Sequence, residues 1–249
     1  MTNTPAMTPQ QREFSDVKRS GLSVYKRLVV GERGLGALLM YEFSQLFFSN
    51  LAGLVGLGAR SKVLPLLLRR CGRRPAIGRS VTFRIPQQME LGDGVLVDDF
   101  AALDVRGTKG EITLGDRVSV GRFSTIAAKG GAIHLRSGVN VGSYCRIATN
   151  SNVTIGESVL IGAYCYIGPG NHTEGENEKP LIEQPMDIRG GVLIGNHAWL
   201  GTGVTVLDGV KIGHHAIIGA HSLVTSDVPD WGVAVGTPAR VIKVRNQAA

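Results

Sequence analysis

Aliphatic residues recur every six positions through much of this 249-residue chain, and most are followed by glycine. The clearest run is Ile194-Gly195, Leu200-Gly201, Val206, Ile212-Gly213, Ile218-Gly219 and Val224. A period of six matches neither the 3.6 of a helix nor the two of a single long strand. It suits a parallel β-helix, in which three short strands make one triangular coil. A second column fixes the register. Four positions after the starting residues stand Val95, Ala101, Val118, Ser124, Val139, Cys145, Val159, Cys165, Ala198, Val204, Val210, Ala216, Ser222 and Val228. All are small or β-branched. A narrow prism holds one large aliphatic and one small residue per face, so this column is expected to point inward. The glycines after the aliphatics (Gly92, Gly115, Gly121, Gly142, Gly156, Gly162, Gly195, Gly201, Gly213 and Gly219) read as close turns that need permissive backbone angles. A Val- and Ile-rich β-sandwich is the competing fold, and fourteen matches in one column argue against it.

Coils are expected to start at Leu91, Leu114, Leu135, Ile155, Ile194 and Ile212, at spacings of 23, 21, 20, 39 and 18 residues. Eighteen is three bare hexads. The longer coils carry insertions after the third hexad, at one corner of the prism. The largest follows Ile167 and covers 171–191. A long loop within a regular repeat is usually functional. The chain therefore divides into an apolar and basic helical segment over 1–76, the β-helix over 77–228 and a tail over 229–249.

Charge is uneven along the chain. Residues 1–84 carry 14 Lys/Arg and 4 Asp/Glu, a net of +10, while 85–249 carry 13 and 16, a net of −3. Nucleic acid is one partner for such a basic segment. An anionic membrane surface is another, and it is favoured because the basic residues flank an apolar stretch, so no nucleic acid is expected. That stretch runs from Gly34 to Leu68, with 17 uncharged residues from Phe43 to Ala59, and is flanked by Arg60, Lys62, Arg69, Arg70, Arg73 and Arg74. Three readings stay open: interfacial membrane contact through 34–74, simple capping of the open end of the β-helix, and a marginal transmembrane span. Residues 1–20 are polar and do not read as a signal peptide. The expected location is cytoplasmic, with peripheral contact at the inner face of the plasma membrane. The three cysteines form no CxxC. Cys145 and Cys165 are expected to stack in successive coils as reduced, inward-facing residues, unsuited to nucleophilic work because burial raises a thiol's pKa.

The stretches Ile194-Gly-Asn-His-Ala-Trp-Leu-Gly-Thr-Gly-Val204, Ile218-Gly-Ala-His-Ser-Leu-Val-Thr225 and Gly236-Thr-Pro-Ala-Arg-Val-Ile242 resemble the hexapeptide-repeat acyltransferases, in their acetyl-CoA-dependent O-acetyltransferase branch. The apolar N-terminal segment further resembles members that act in polysaccharide and lipopolysaccharide biosynthesis. The resemblance implies a left-handed coil, against the usual right-handed crossover. It also implies a homotrimer with active sites in grooves between subunits, and acetyl-CoA as acyl donor with no metal.

Residue by residue, the resemblance makes His172, in Gly170-Asn-His-Thr at the opening of the long loop, the catalytic histidine. The chemistry agrees, since attack of a hydroxyl on a thioester needs a base and imidazole titrates near neutral pH. One of Glu174, Glu176, Glu178, Glu183 and Asp187 would orient it. Trp199 matches the aromatic near the acetyl and pantetheine end. Thr202 matches a backbone N–H donor to the thioester. Ala220 and Thr225 match pantetheine contacts, and Arg240 and Lys243 match groups near the nucleotide phosphates. Where the family often has lysine after that threonine, this chain has Ser226, so Lys211 or Arg245 would supply the charge. His197, His215 and His221 are read as outward-facing, with His197 and His215 stacked; a metal between two such ligands lacks a third. His134 and His214 also face out. The expected function is acyl transfer to a sugar hydroxyl in cell-surface polysaccharide biosynthesis. The alternatives are a non-catalytic membrane-associated β-helix scaffold and a γ-carbonic-anhydrase-like zinc lyase.

Overall fold

The structure, a computed structural model, describes residues 20–168, 170–173 and 180–245. Three parallel sheets form the walls of a prism. Sheet A has seven strands, sheet B nine and sheet C seven. Within the coils, consecutive strands do not pair with each other; each pairs with the strand one coil away. Leu91, Leu114, Leu135, Ile155, Ile194 and Ile212 are neighbours in one unbroken column of sheet A. This is the β-helix that the six-residue period implies. One coil precedes those read from the glycine-marked repeat, because Cys71 pairs with Leu91. Strand pairing thus begins at Arg70–Cys71, ahead of residue 77. At the other end Gly232–Gly236 and Ala239–Val244 close sheet B as an antiparallel hairpin.

The inner column is buried from Val95 to Val228 without exception. Three of its polar members share one device at the corner between sheets B and C, while the fourth, Ser222, accepts from Gly236 N at 3.0 Å. Ser124 Oγ donates to Gly142 O at 2.8 Å. Cys145 Sγ donates to Gly162 O at 3.1 Å, and Cys165 Sγ to Gly201 O at 3.2 Å. Each of these three side chains thereby satisfies a carbonyl of the next coil that the corner leaves outside the sheet ladder. The neighbouring Cys165 thiol and burial push the Cys145 thiol far up, and both cysteines are buried in the inner column.

The glycines after the aliphatics have a different cause from the one their turn position suggests. None of the ten has positive φ; that conformation belongs to the residue two places later, such as Phe123, Tyr144, Tyr164, His197, His215 and His221. The glycines are needed for close approach. A Cβ on Gly121, Gly142, Gly162 or Gly201 would lie 2.7 Å from backbone of the next coil.

Among the described residues three α-helices cover the first coil: α1 (Gly21–Val30), α2 (Leu35–Phe48) and α3 (Gly53–Val63). The uncharged stretch from Phe43 to Ala59 is broken between α2 and α3, and Gly53, the first residue of α3, takes φ +69°. Among the described residues no helix is long and apolar enough to cross a membrane. Leu38, Tyr41, Leu64 and Leu67 join the prism core. Arg60, only 3% exposed, ties the cap down. Its guanidinium donates to Phe48 O and Leu51 O, at the C-terminal end of α2, and to Ile77 O of the first coil. A cation there also complements the negative end of the helix dipole.

Candidate active site

The corner between sheets B and C carries the first group of expected site residues. Gly201 and Thr202 lie directly beneath Ala220, whose backbone N would be 2.7 Å from a Cβ on Gly201. Both Thr202 and Ala220 are exposed. His221 N donates to Thr202 O at 2.8 Å, and the His221 ring covers the space a side chain on Gly203 would take. Trp199 stands on the adjoining outer face of sheet B, half exposed, between Leu160 and Ile217. Arg240 and Lys243 lie further along the same sheet, on its last strand, paired with Val235 and Val233 and exposed. Trp199, Thr202, Ala220, Arg240 and Lys243 therefore follow the B face and its corner toward the C-terminal end.

Thr225 does not join them. It follows the last strand of sheet C, Leu223–Val224, and so occupies the corner between sheets C and A. That is also the corner of the long insertion. His172 belongs to a two-residue strand, Asn171–His172, paired antiparallel with Met186–Asp187. Its backbone is described; its side chain lies outside the described residues, as do Glu174, Glu176 and Glu178 entirely. Of the remaining acids, Glu183 is exposed, and Asp187 Oδ2 accepts from Arg189 Nε at 2.8 Å.

Sequence reasoning missed the clamp that fixes this loop. Asp208, one coil on, accepts from Arg189 N at 2.6 Å and from Ser151 Oγ at 2.9 Å, while Gly209 N donates to Gly191 O at 2.7 Å. The loop base is thus pinned to the same corner of the coils on either side. It also missed an aromatic ladder along the B–C corner below Thr202. Phe100, Phe123, Tyr144 and Tyr164 stack with centroids 5.0, 5.0 and 5.1 Å apart. The signal was present, since these residues repeat at the coil spacings of 23, 21 and 20.

The other histidines are placed as expected. His197 and His215 lie one above the other on the corner between sheets A and B, their ring centroids 4.8 Å apart and tilted by 31°, and His215 stacks on Trp231 at 4.0 Å. Burial, with the neighbouring His197, holds the His215 pKa below the usual imidazole range. Arg245 lies over Trp231, its carbon 5.2 Å from the ring centroid, and donates to His215 O. Lys211 projects from sheet A. Of the two substitutes for a lysine at Ser226, Lys211 lies on a different wall from Thr202 and Ala220, and Arg245 is engaged by Trp231. Among the described residues no three His, Cys, Asp or Glu side chains converge as a metal site.

A six-residue β-helix with a pinned insertion loop and a Trp199–Thr202–Ala220 corner defines a class, the hexapeptide-repeat transferases. The family described as bacterial transferase hexapeptide, six repeats, matches residues 191–226. The putative lipopolysaccharide biosynthesis O-acetyl transferase WbbJ of Escherichia coli K12 is 35% identical over 144 residues, 55% of this chain and 74% of its own length. The chain belongs to this family, the hexapeptide-repeat acyltransferases. A probable acetyltransferase of Mycobacterium tuberculosis is 35% identical over 135 residues, 54% of this chain; the chain spans 45% of that relative's length. Among solved structures, the polySia specific acetyltransferase NeuO has the same fold, with a TM-score of 0.52 at 18% identity over 72% of this chain and 85% of its own.

Proposed function

We propose that this chain is an acetyl-CoA-dependent O-acetyltransferase that modifies a sugar hydroxyl of a cell-surface polysaccharide or its precursor. One observation carries the donor assignment: the exposed run from Trp199 through Thr202 and Ala220 to Arg240 and Lys243. It offers an aromatic face and backbone groups first and two cations last. That order suits a thioester, an amide-bearing pantetheine arm and a phosphorylated nucleotide. The family membership and the name of the Escherichia coli relative support the acceptor class.

In this mechanism His172 accepts the proton of the acceptor hydroxyl as its oxygen attacks the thioester carbonyl. The backbone N–H of Thr202 donates to the oxyanion. The C–S bond then breaks, and the protonated imidazole returns the proton to the leaving thiolate. A base must lie within hydrogen-bonding reach of the proton it takes. In one chain, His172 and Thr202 belong to corners at opposite ends of sheet C, separated by about five residues of extended chain, roughly 16 Å. This separation favours a site completed by a second copy, with His172 of one subunit facing Thr202 of its neighbour in a homotrimer.

The test is thiol release from acetyl-CoA against a panel of sugars and sugar nucleotides. His172→Ala should reduce kcat by roughly 10²–10⁴ while leaving coenzyme binding nearly intact. Arg240→Ala should raise KM for acetyl-CoA with little change in kcat, the sign of lost uniform binding. Full kcat in His172→Ala would assign the base elsewhere, and a monomeric mass at full activity would remove the shared site.

A further inference from the structure

The helical cap has an uncovered apolar face. The sides of α2 not packed on the prism carry Leu35, Leu39, Phe43, Leu46 and Phe47, with Leu39 69% and Leu46 79% exposed. Leu54 and Val55 of α3 follow at 84% and 76%. A helix apolar on all sides is ordinarily buried in a large core or in lipid. Here one side is already packed, through Leu38, Tyr41 and Ser44, and the other meets solvent. Contiguous exposed apolar surface of this kind marks an interaction site.

The charges around the face select its occupant. Residues 20–84 contain eleven Lys/Arg and only two acids, Glu32 and Glu42; Arg27 pairs with Glu32, and Arg69, Arg73, Arg79 and Arg84 pair with Glu90, Glu111, Asp93, Asp99 and Asp104 of the coils. Exposed Arg33 precedes α2, exposed Lys62 lies two turns beyond Leu54 on the same side of α3, and exposed Arg70 follows Leu66, while Arg69 is paired with Glu90 and Glu111. Arg60, counted among the flanking cations by sequence, is buried and takes no part. A second copy would bring the same basic rim against this one, and like charges would oppose it. An anionic surface would be attracted, while the lysine and arginine stems extend over apolar surface and keep their charges at the headgroups. The helices are too short to span, so contact lies in the plane of the interface. We infer that α2 and α3 form a docking face for an anionic lipid bilayer, independent of the acyl-transfer site, with Leu39, Phe43, Leu46, Phe47, Leu54 and Val55 entering the interface.

The experiment is sedimentation of the full-length protein with vesicles of phosphatidylcholine alone or with about one third phosphatidylglycerol. Binding should be more than tenfold tighter to the anionic vesicles, at roughly fivefold per engaged cation, and should weaken in high salt. The double variant Leu46→Glu, Leu54→Glu changes only exposed positions. It should keep its circular dichroism and coenzyme binding and lose vesicle binding at least tenfold. Equal binding to both vesicle types, or none at low salt, overturns the proposal. So does a double variant that still binds vesicles but changes its mass in lipid-free solution, which would make the face a contact between copies.

Discussion

Gly162 sits where coil stacking and the proposed site meet, and Gly162→Ala tests both. The added Cβ would lie 2.7 Å from Thr202 N and 2.9 Å from Gly201 C. Both are backbone atoms, so no side chain can swing away. The two coils would have to part by about half an ångström, against hydrogen bonds that hold them on either side: Gly162 N to Leu200 O and Gly203 N to Ala163 O, each 2.8 Å. Overpacking costs about 1–3 kcal/mol, and weakening the two bonds adds up to about 1 kcal/mol each. The stiffer unfolded chain returns about 0.4–1 kcal/mol. At mid-range the net is a loss of about 2 kcal/mol, or a Tm lower by about 4–8 °C in a domain of this size. Gly58→Ala is the control. It lies within α3, its φ is not positive, and a Cβ there meets nothing within 4 Å. Helix propensity predicts a gain of up to about 1 kcal/mol. Thermal melts of the two variants should move in opposite directions. Because the strained contact is with Thr202, Gly162→Ala should also lower kcat/KM for acetyl-CoA in thiol release at a temperature where both proteins are folded. A Gly162→Ala protein that melts at or above wild type would refute close approach as the reason for these glycines.

Other outcomes follow from the same geometry. Ser124→Ala removes a buried hydroxyl that donates to Gly142 O and accepts from Cys145 N at 3.0 Å; a loss of about 1–3 kcal/mol is expected in urea melts, with partial recovery in Ser124→Cys, which mimics Cys145 and Cys165. His215 has a folded pKa below its unfolded value, so the unfolded chain takes up its proton first. Its contribution is complete above about pH 6.5 and lost as pH falls through the folded value; His215→Phe should flatten that part of a stability–pH curve, and an unchanged curve would deny the assignment.

The repeat was legible in the sequence because it is local and periodic. Each aliphatic fixes the direction of its neighbours, so the inner column from Val95 to Val228, the coil phases and the corner that carries the 171–191 insertion could all be read from spacing. The placement of His197 over His215 followed in the same way. What needed the tertiary structure depends on neighbours one coil away. Gly162 is glycine because Thr202, forty residues on, lies against it, and no window around Gly162 contains that contact. The aromatic ladder acquires meaning only once Phe100, Phe123, Tyr144 and Tyr164 share a corner. Arg60 reads as one more surface cation until Phe48, Leu51 and Ile77 are seen to surround it. Motifs placed Trp199, Thr202, Ala220 and Thr225 in one set, yet a prism has three corners, and coil phase alone puts Thr225 with the His172 loop rather than beside Ala220. Sequence spacing therefore determines which way each residue faces in this fold; only the stacking of coils decides which residues meet.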